Sequence, residues 1–333
     1  MKKSGSFILG MIGFTVLVLA LSANIPQATA ADDGVVRYST EPTSLGIPYW
    51  LAKERGLFKK HGLKKTKDTM GHTALVGLKA IGSGQLDISF QSDPPTIANI
   101  SKGIDAIIVA ATAQGNQSMK LVAIKSITNP KQLIGKKVTW MGGTGGEYGF
   151  IKFLQNRGID YKKLDHVNLP PPEAVPTLAK GGVEALWFWE PWPRKVLELK
   201  TGKFHILAAS KAADYEPNFH LTVRRGFAKD KPETLKRFLR ALIEATDLAN
   251  KDRAAASAVY RKVTRSTAAD AKASLGDYNL RIWMDKDYFD TLQEVSEFKK
   301  KLGHIKAIPN WRNIVNPTFL RAVDASKVKN FPY

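Results

Sequence analysis

Two short stretches carry side chains able to grip a ligand, and they are copies of one pattern. Gly84-Gln85-Leu86-Asp87-Ile88-Ser89-Phe90-Gln91-Ser92-Asp93-Pro94-Pro95 and Gly181-Gly182-Val183-Glu184-Ala185-Leu186-Trp187-Phe188-Trp189-Glu190-Pro191-Trp192 align without a gap, 97 residues apart. Each runs from glycine through an acid to an apolar core, then to acid-proline, so Asp93 and Glu190 hold matching places. Between them lies Met141-Gly142-Gly143-Thr144-Gly145-Gly146-Glu147, read as a glycine turn leading from a strand into a helix. Backbone N–H groups at such a helix start favour an oxyanion. The Gly142–Gly146 turn is therefore a candidate ligand contact. The turn is not a dinucleotide fingerprint, because with Gly143 and Gly145 as its first two glycines Tyr148 takes the place of the third. Nor is it a P-loop, because no Lys-Ser or Lys-Thr follows. A tight turn requiring positive φ is the structural alternative, and four glycines exceed that need.

The chemistry these types support is binding rather than bond-making. The chain has no cysteine, which removes thiolate nucleophiles, disulfides and thiolate metal sites together. It has no His-Glu-x-x-His and no Gly-x-Ser-x-Gly, and His61, His72, His166, His205, His220 and His304 lie far apart in sequence. No catalytic residue, metal ligand or cofactor is expected. An enzyme whose triad is assembled only in three dimensions stays open as the alternative. Asp93 has an ordinary role as N-cap ahead of an N1 proline, with ligand contact beside it. Glu190 is a poor N-cap, which leaves a ligand cation or an arginine such as Arg194 as its partner. Trp187, Phe188 and Trp189 alternate along a strand, so Phe188 faces away from the two tryptophans. Trp189, nearest the strand end, is the best cleft aromatic, with Trp192 next to it.

These groups need a scaffold, and the hydrophobic pattern supplies an α/β one. In each copy a helical stretch (Ala74 to Gly82, Ala174 to Gly181) ends in glycine, with Gly82 and Gly181 read as left-handed helix stops. A bounded apolar strand follows, Leu86–Phe90 or Val183–Phe188. Ligands of open α/β sheets bind beyond the carboxyl ends of the strands. Further strands are expected at Val35–Ser39, Lys64–Thr69, Ile104–Ala111, Lys137–Trp140, Asp165–Leu169 and Lys203–Ala208. Thr43 or Ser44 could cap a helix from Ile47 to Arg55. Leu121–Ile127 and Phe219–Val223 read as two crossings between lobes. From Lys231 onward the pattern is mostly helical. The expected arrangement is a first lobe from 31–124 and 225–333 and a second from 125–224, with one ligand cleft between them.

Lys2 and Lys3, an apolar run from Phe7 to Ala23 and Ala28-Thr29-Ala30 fit a secretory signal peptide cleaved after residue 30. Without cysteine, the new N-terminus has no attachment point for a lipid anchor. No later stretch is apolar for long enough to span a bilayer. A formal net charge of +20 would suit nucleic acid. Export argues against that partner and for anionic solutes, an anionic membrane surface or plain surface charge.

The order of these features resembles the periplasmic substrate-binding proteins of ABC importers, in their sulfonate, taurine and nitrate branch. The pieces that carry it are Tyr49-Trp50-Leu51-Ala52-Lys53-Glu54-Arg55-Gly56-Leu57-Phe58, Ala80 to Asp87, Trp189-Glu190-Pro191-Trp192 and Leu221 to Ala228. The likeness extends from Val35 to about Lys301. It implies a two-lobed periplasmic binding protein fold of the second type, a monomer that hands its solute to a permease with an ATPase. It also implies contacts from Thr43, Ser44 and Leu45; Ser92 and Asp93; Thr144, Gly145 and Gly146; Trp189 and Glu190; and His220 on the return crossing. An enzymatic relative of this fold, the yeast-type thiamine-pyrimidine synthase, carries a cysteine-rich motif that is absent here. A sensory module presenting its ligand to a receptor would use the same cleft. The expected ligand is a small organic anion or zwitterion, such as taurine or an alkanesulfonate, with its oxyanion at the glycine turn and its amine near the acids. A thiamine-type pyrimidine is the rival, and nitrate fits less well because it needs no aromatic wall.

Overall fold

The structure, a computed structural model, describes residues 33–71, 74–199 and 202–333. The expected signal peptide at 1–30 lies outside the described residues. Twelve strands form among the described residues: β1 Val35–Thr40, β2 Lys65–Met70, β3 Ile88–Ser92, β4 Ala106–Gly115, β5 Met119–Ile124, β6 Lys137–Thr139, β7 Asp165–Val167, β8 Ala185–Trp189, β9 Phe204–Ala209, β10 Asn218–Arg224, β11 Tyr278–Asp285 and β12 Val328–Lys329. They build two sheets, ordered β12-β11-β4-β10-β3-β1-β2 and β7-β6-β8-β5-β9. Each sheet is the heart of one lobe.

The sequence repeat is a structural repeat. β3 and β8 occupy the same five positions of the two copies. Each lies between a parallel strand (β1 or β6) and an antiparallel one (β10 or β5). The helices before them, Ala74–Gly82 and Pro171–Ala179, end in the same way. Gly84 and Gly181 are left-handed, with φ of +73° and +78°. The next N–H reaches back five residues in both cases, from Gln85 to Ala80 and from Gly182 to Thr177. The stop in the first copy is thus Gly84 and not Gly82, because the last turn continues through Ser83, whose N–H bonds Lys79.

The lobe boundaries shift from the expected ones. Met119–Ile124 pairs with β8 and β9 in the second sheet, and Phe219–Arg224 lies in β10, between β3 and β4 of the first. The crossings are therefore 116–118 and 210–217, and they run side by side. The Gly115 N–H donates to the Pro217 carbonyl at 2.8 Å and the Gln117 N–H to Glu216 Oε1 at 3.0 Å. The physical reason is burial: β10 is covered on both faces up to Val223, with His220 and Thr222 buried between Phe219, Leu221 and Val223, and an extended segment of this kind has the same local pattern as a crossing. β11 falls in the region read as helical. Its exposed Asn279 and Arg281 alternate with buried Tyr278, Leu280 and Ile282.

Aromatic packing fixes each lobe. Tyr38, Tyr49, Phe58 and Phe238 stack in the first, with ring centroids 5.4–6.4 Å apart. In the second, Trp187 lies on Phe150 and Phe153 at 5.4 and 5.5 Å. Phe188 packs on the opposite face of β8 with Leu178 and Val196, as the alternation requires.

Candidate functional site

Strand-end loops of both lobes converge on a cavity of about 50 Å³. The first lobe contributes Glu41 just past β1, Ser92 at the end of β3, Pro95 in the following helix, Phe219 in β10 and Tyr278 at the start of β11. The second contributes Met119, the Thr144-Gly145-Gly146 turn and Trp189 at the end of β8, while Pro217 comes from the return crossing. Most of this wall is apolar, as small-solute sites are. Its polar chemistry sits in two places.

The first is the start of the Gly145–Gln155 helix. Thr144 is its N-cap, and Thr144 Oγ1 accepts the Gly146 and Glu147 N–H groups at 3.1 and 3.4 Å while donating to the Met141 carbonyl at 2.7 Å. The Gly143 N–H donates to Glu147 Oε2 at 3.0 Å and the Gly142 N–H to Asn168 Oδ1 at 3.0 Å. The turn thus satisfies most of its own donors. Among the described residues the Gly145 N–H keeps no partner, and its residue lines the cavity. One open amide at the positive end of an eleven-residue helix suits an oxyanion oxygen.

The second is Glu41. Burial pushes its carboxyl up to about 7, against a hydrogen bond from Thr43 Oγ1 at 3.3 Å that pulls the other way. No lysine or arginine lines the cavity among the described residues.

Ion pairs and hydrogen bonds close the rim on both sides. Arg194, in the Trp192–Glu198 helix of the second lobe, donates to Asp277 at 3.0 and 3.1 Å and to Ser274 Oγ at 3.0 Å in the first. Burial, together with the nearby Glu190 charge, raises the Asp277 carboxyl to about 6 despite Arg194. Opposite, the Tyr148 hydroxyl and Lys152 Nζ donate to Glu294 Oε1 at 2.9 and 2.7 Å. Tyr148 leaves its own lobe to pack edge-on against Phe298 at 4.6 Å.

The family model described as NMT1-like matches residues 41–264, more than half of the chain. The chain belongs to the NMT1-like family. A Bacillus subtilis (strain 168) binding protein named for aliphatic sulfonates is 25% identical over 296 residues, 82% of this chain and 84% of that protein. The taurine-binding periplasmic protein of Escherichia coli (strain K12) is 27% identical over 180 residues, 53% of this chain and 55% of its own length. Among solved structures, the alkanesulfonate-binding protein SsuA from Xanthomonas axonopodis pv. citri, bound to MOPS, superposes with a TM-score of 0.74. That match is 17% identical and covers 90% of this chain and all of the other. This NMT1-like chain therefore has the periplasmic binding protein fold.

Five of the residues singled out from sequence line the cavity: Ser92, Thr144, Gly145, Gly146 and Trp189. Thr43 lines a neighbouring hollow of about 250 Å³ with Trp189, Trp192 and Arg194. Ser44 and Leu45 are buried and line neither hollow. They form a short turn, Ser44–Gly46, with no side-chain cap, so the expected cap from Thr43 or Ser44 is not made.

Asp93 and His220 sit behind the wall, both 0% exposed. Ser92 is the N-cap and Asp93 the first helical residue. Asp93 Oδ2 accepts the Asn218 N–H at 3.1 Å, and Oδ1 lies 3.5 Å from His220 Nδ1. Burial raises the Asp93 carboxyl, opposed by His220 and that N–H. Thr96 Oγ1 spends its proton on the Ser92 carbonyl, so His220 Nε2 donates to it at 2.9 Å. His220 Nδ1 also meets the Tyr288 hydroxyl at 3.0 Å. A strand covered on both faces leaves His220 no route to the cleft. Glu190 is 2% exposed and takes protein partners: Lys120 Nζ, and the Arg194 N–H at 3.1 Å. Its charge is met first by Lys120, with the Arg194 guanidinium, the partner expected from sequence, 3.8 Å away.

Glu41, Pro95, Met119, Pro217, Phe219 and Tyr278 are the wall residues not singled out as contacts. Glu41 follows the first strand by one residue, so the strand-end argument that selected Ser92 and Trp189 could have found it. Tyr278 could not be found without β11.

Proposed function

We propose that this NMT1-like chain is the extracytoplasmic solute-binding component of an ABC importer and holds one small organic solute bearing an oxyanion of the sulfonate or taurine class. The observation that carries the reading is the cavity between the lobes, walled by the strand-end loops of both and presenting the free Gly145 amide. The names of the Bacillus subtilis and Escherichia coli relatives support the solute class. The signal-like leader supports export to the periplasm. No helix among the described residues is long and apolar enough to cross a membrane. Delivery then falls to a partner permease with its ATPase.

The protein acts by holding and releasing its solute unaltered. Ligand closes the lobes only by binding the closed form better than the open one. Asp93 and Glu190 do not oppose an anion, because both spend their charge on protein partners. One observation favours a second reading, a cationic or donor-rich heterocycle such as a thiamine-type pyrimidine: Glu41 places a carboxyl on the wall. Thermal-shift screening of sulfonates, amino-sulfonates, nitrate and pyrimidines tests the choice. A bound solute at 100 times its Kd stabilises the fold by about 2.7 kcal/mol. Stabilisation by a sulfonate, recovered chemically unchanged, is the expected result. Stabilisation by pyrimidines alone would replace the solute class, and catalytic formation of a product would replace the carrier reading.

A further inference from the structure

The proposed cleft offers an oxyanion backbone amides at the glycine turn, Gly145 among them, and no cationic side chain among the described residues. That is weak provision for a plain anion and leaves Glu41 unused. We infer that Glu41 is the group by which the cleft chooses among sulfonates, preferring those that also carry an ammonium. This rests on the solute-binding reading above.

The geometry is simple. Glu41 and Gly145 border one cavity of about 50 Å³, from opposite lobes. A single small solute reaches both. Glu41 also borders a second hollow of about 170 Å³ on its other side, between Thr40, Thr69, Met70 and Phe90, again without lysine or arginine among the described residues. Among the described residues its side-chain hydrogen bond comes from Thr43 Oγ1. Among the described residues the titratable groups that act on it are the phenols of Tyr49 and Tyr278, both buried and held well above the usual tyrosine range, and so neutral. Half-buried between the two hollows, the carboxylate is partly desolvated and, among the described residues, has gained no protein cation, which is costly. A ligand ammonium supplies the missing partner through a charge-assisted hydrogen bond. A sulfonate without an amine meets the opposite situation, since it binds beside Glu41 only when the carboxyl is protonated.

The two ligand classes therefore respond to pH with opposite sign. An amino-sulfonate needs ionised Glu41, so its affinity falls as pH drops below about 7. A plain sulfonate needs the neutral acid, so its affinity falls as pH rises above that point. By proton linkage, 1.5 pH units to either side corresponds to about 30-fold in Kd.

The test is calorimetric titration of the full mature chain with taurine and with ethanesulfonate, which lacks only the amine, at pH 5.5 and 8.5. The wild type is expected to bind taurine about 30-fold more tightly at 8.5 than at 5.5, with ethanesulfonate reversed. Glu41→Gln is expected to lose the taurine preference and both pH responses while keeping ethanesulfonate binding. Glu41→Asp, which restores the charge, is expected to recover the sign of each response. Sulfonate binding with the same pH sense for both ligands, or with both weakened equally by Glu41→Gln, overturns the inference and leaves the solute-binding reading standing. Binding of neither ligand at either pH overturns the oxyanion reading and this inference with it.

Discussion

Adding one methyl group at Gly145 separates affinity from stability. A Cβ there would lie 3.3 Å from Met119 Cε and 3.7 Å from Pro217 Cβ, both wall residues. A methyl there narrows a cavity of about 50 Å³. Overpacking of this kind costs about 1–3 kcal/mol, and every 1.4 kcal/mol is a factor of ten in affinity. Gly145→Ala should therefore raise Kd by about 5- to 150-fold. Its effect on folding is small and tends the other way. Gly145 lies in the first helical turn with no positive φ, where alanine gains about 0.4–1 kcal/mol through the unfolded chain, offset by the tight Met119 contact. Gly143→Ala is the matched opposite. A Cβ at Gly143 meets nothing within 4 Å, but φ is +76°, so alanine costs about 1–2 kcal/mol of stability and leaves the cavity alone. Calorimetric titration gives the affinities and urea denaturation gives the stabilities. Equal loss of affinity in the two variants, or unchanged affinity in Gly145→Ala, would refute the placement of the ligand at this helix start.

Three further outcomes are expected. Glu41 has a folded pKa above its unfolded one, so its contribution to stability is present below about 4.5 and lost as pH rises through about 7. Glu41→Gln should thus melt higher than wild type at pH 8.5 and equally at pH 4, and a deficit at pH 8.5 would contradict the unpaired state. His220→Ala strips partners from Thr96 and Tyr288 in a sealed interior. It should cost about 2–4 kcal/mol in denaturation with Kd unchanged, whereas a tenfold loss of affinity at full folding would return His220 to the cleft. Arg194→Ala removes the rim contacts to Ser274 and Asp277. Hydrogen bonds to charged groups contribute about 1.5–3 kcal/mol, so small-angle scattering should show a larger unliganded radius and titration a weaker Kd. An unchanged radius would place no closing role on this rim.

How much was legible depended on whether the signal was local. The repeat was legible because a parallel strand buried on both faces needs an apolar run and a glycine helix stop, and both are contiguous. It led to Ser92 and Trp189 through β3 and β8. The glycine turn was visible for the same reason, but its donors were not countable, since Thr144, Glu147 and Asn168 claim four of the amides only after folding. Asp93 and Glu190 illustrate the limit. Proline after an acid marks a helix start, but burial depends on β10 and Lys120, which are distant in sequence. The crossings were misplaced because β10 and a linker between lobes are both extended and apolar. Glu41 was overlooked because the family likeness pointed two residues further along the same loop.

The most direct test of the central claim is a crystal structure of the mature chain grown with taurine. The account predicts one taurine between the two sheets, a sulfonate oxygen within hydrogen-bond distance of the Gly145 amide, and Trp189 against its carbon chain. Taurine bound outside this cavity, or inside it with the Gly145 amide left unpaired, would contradict it.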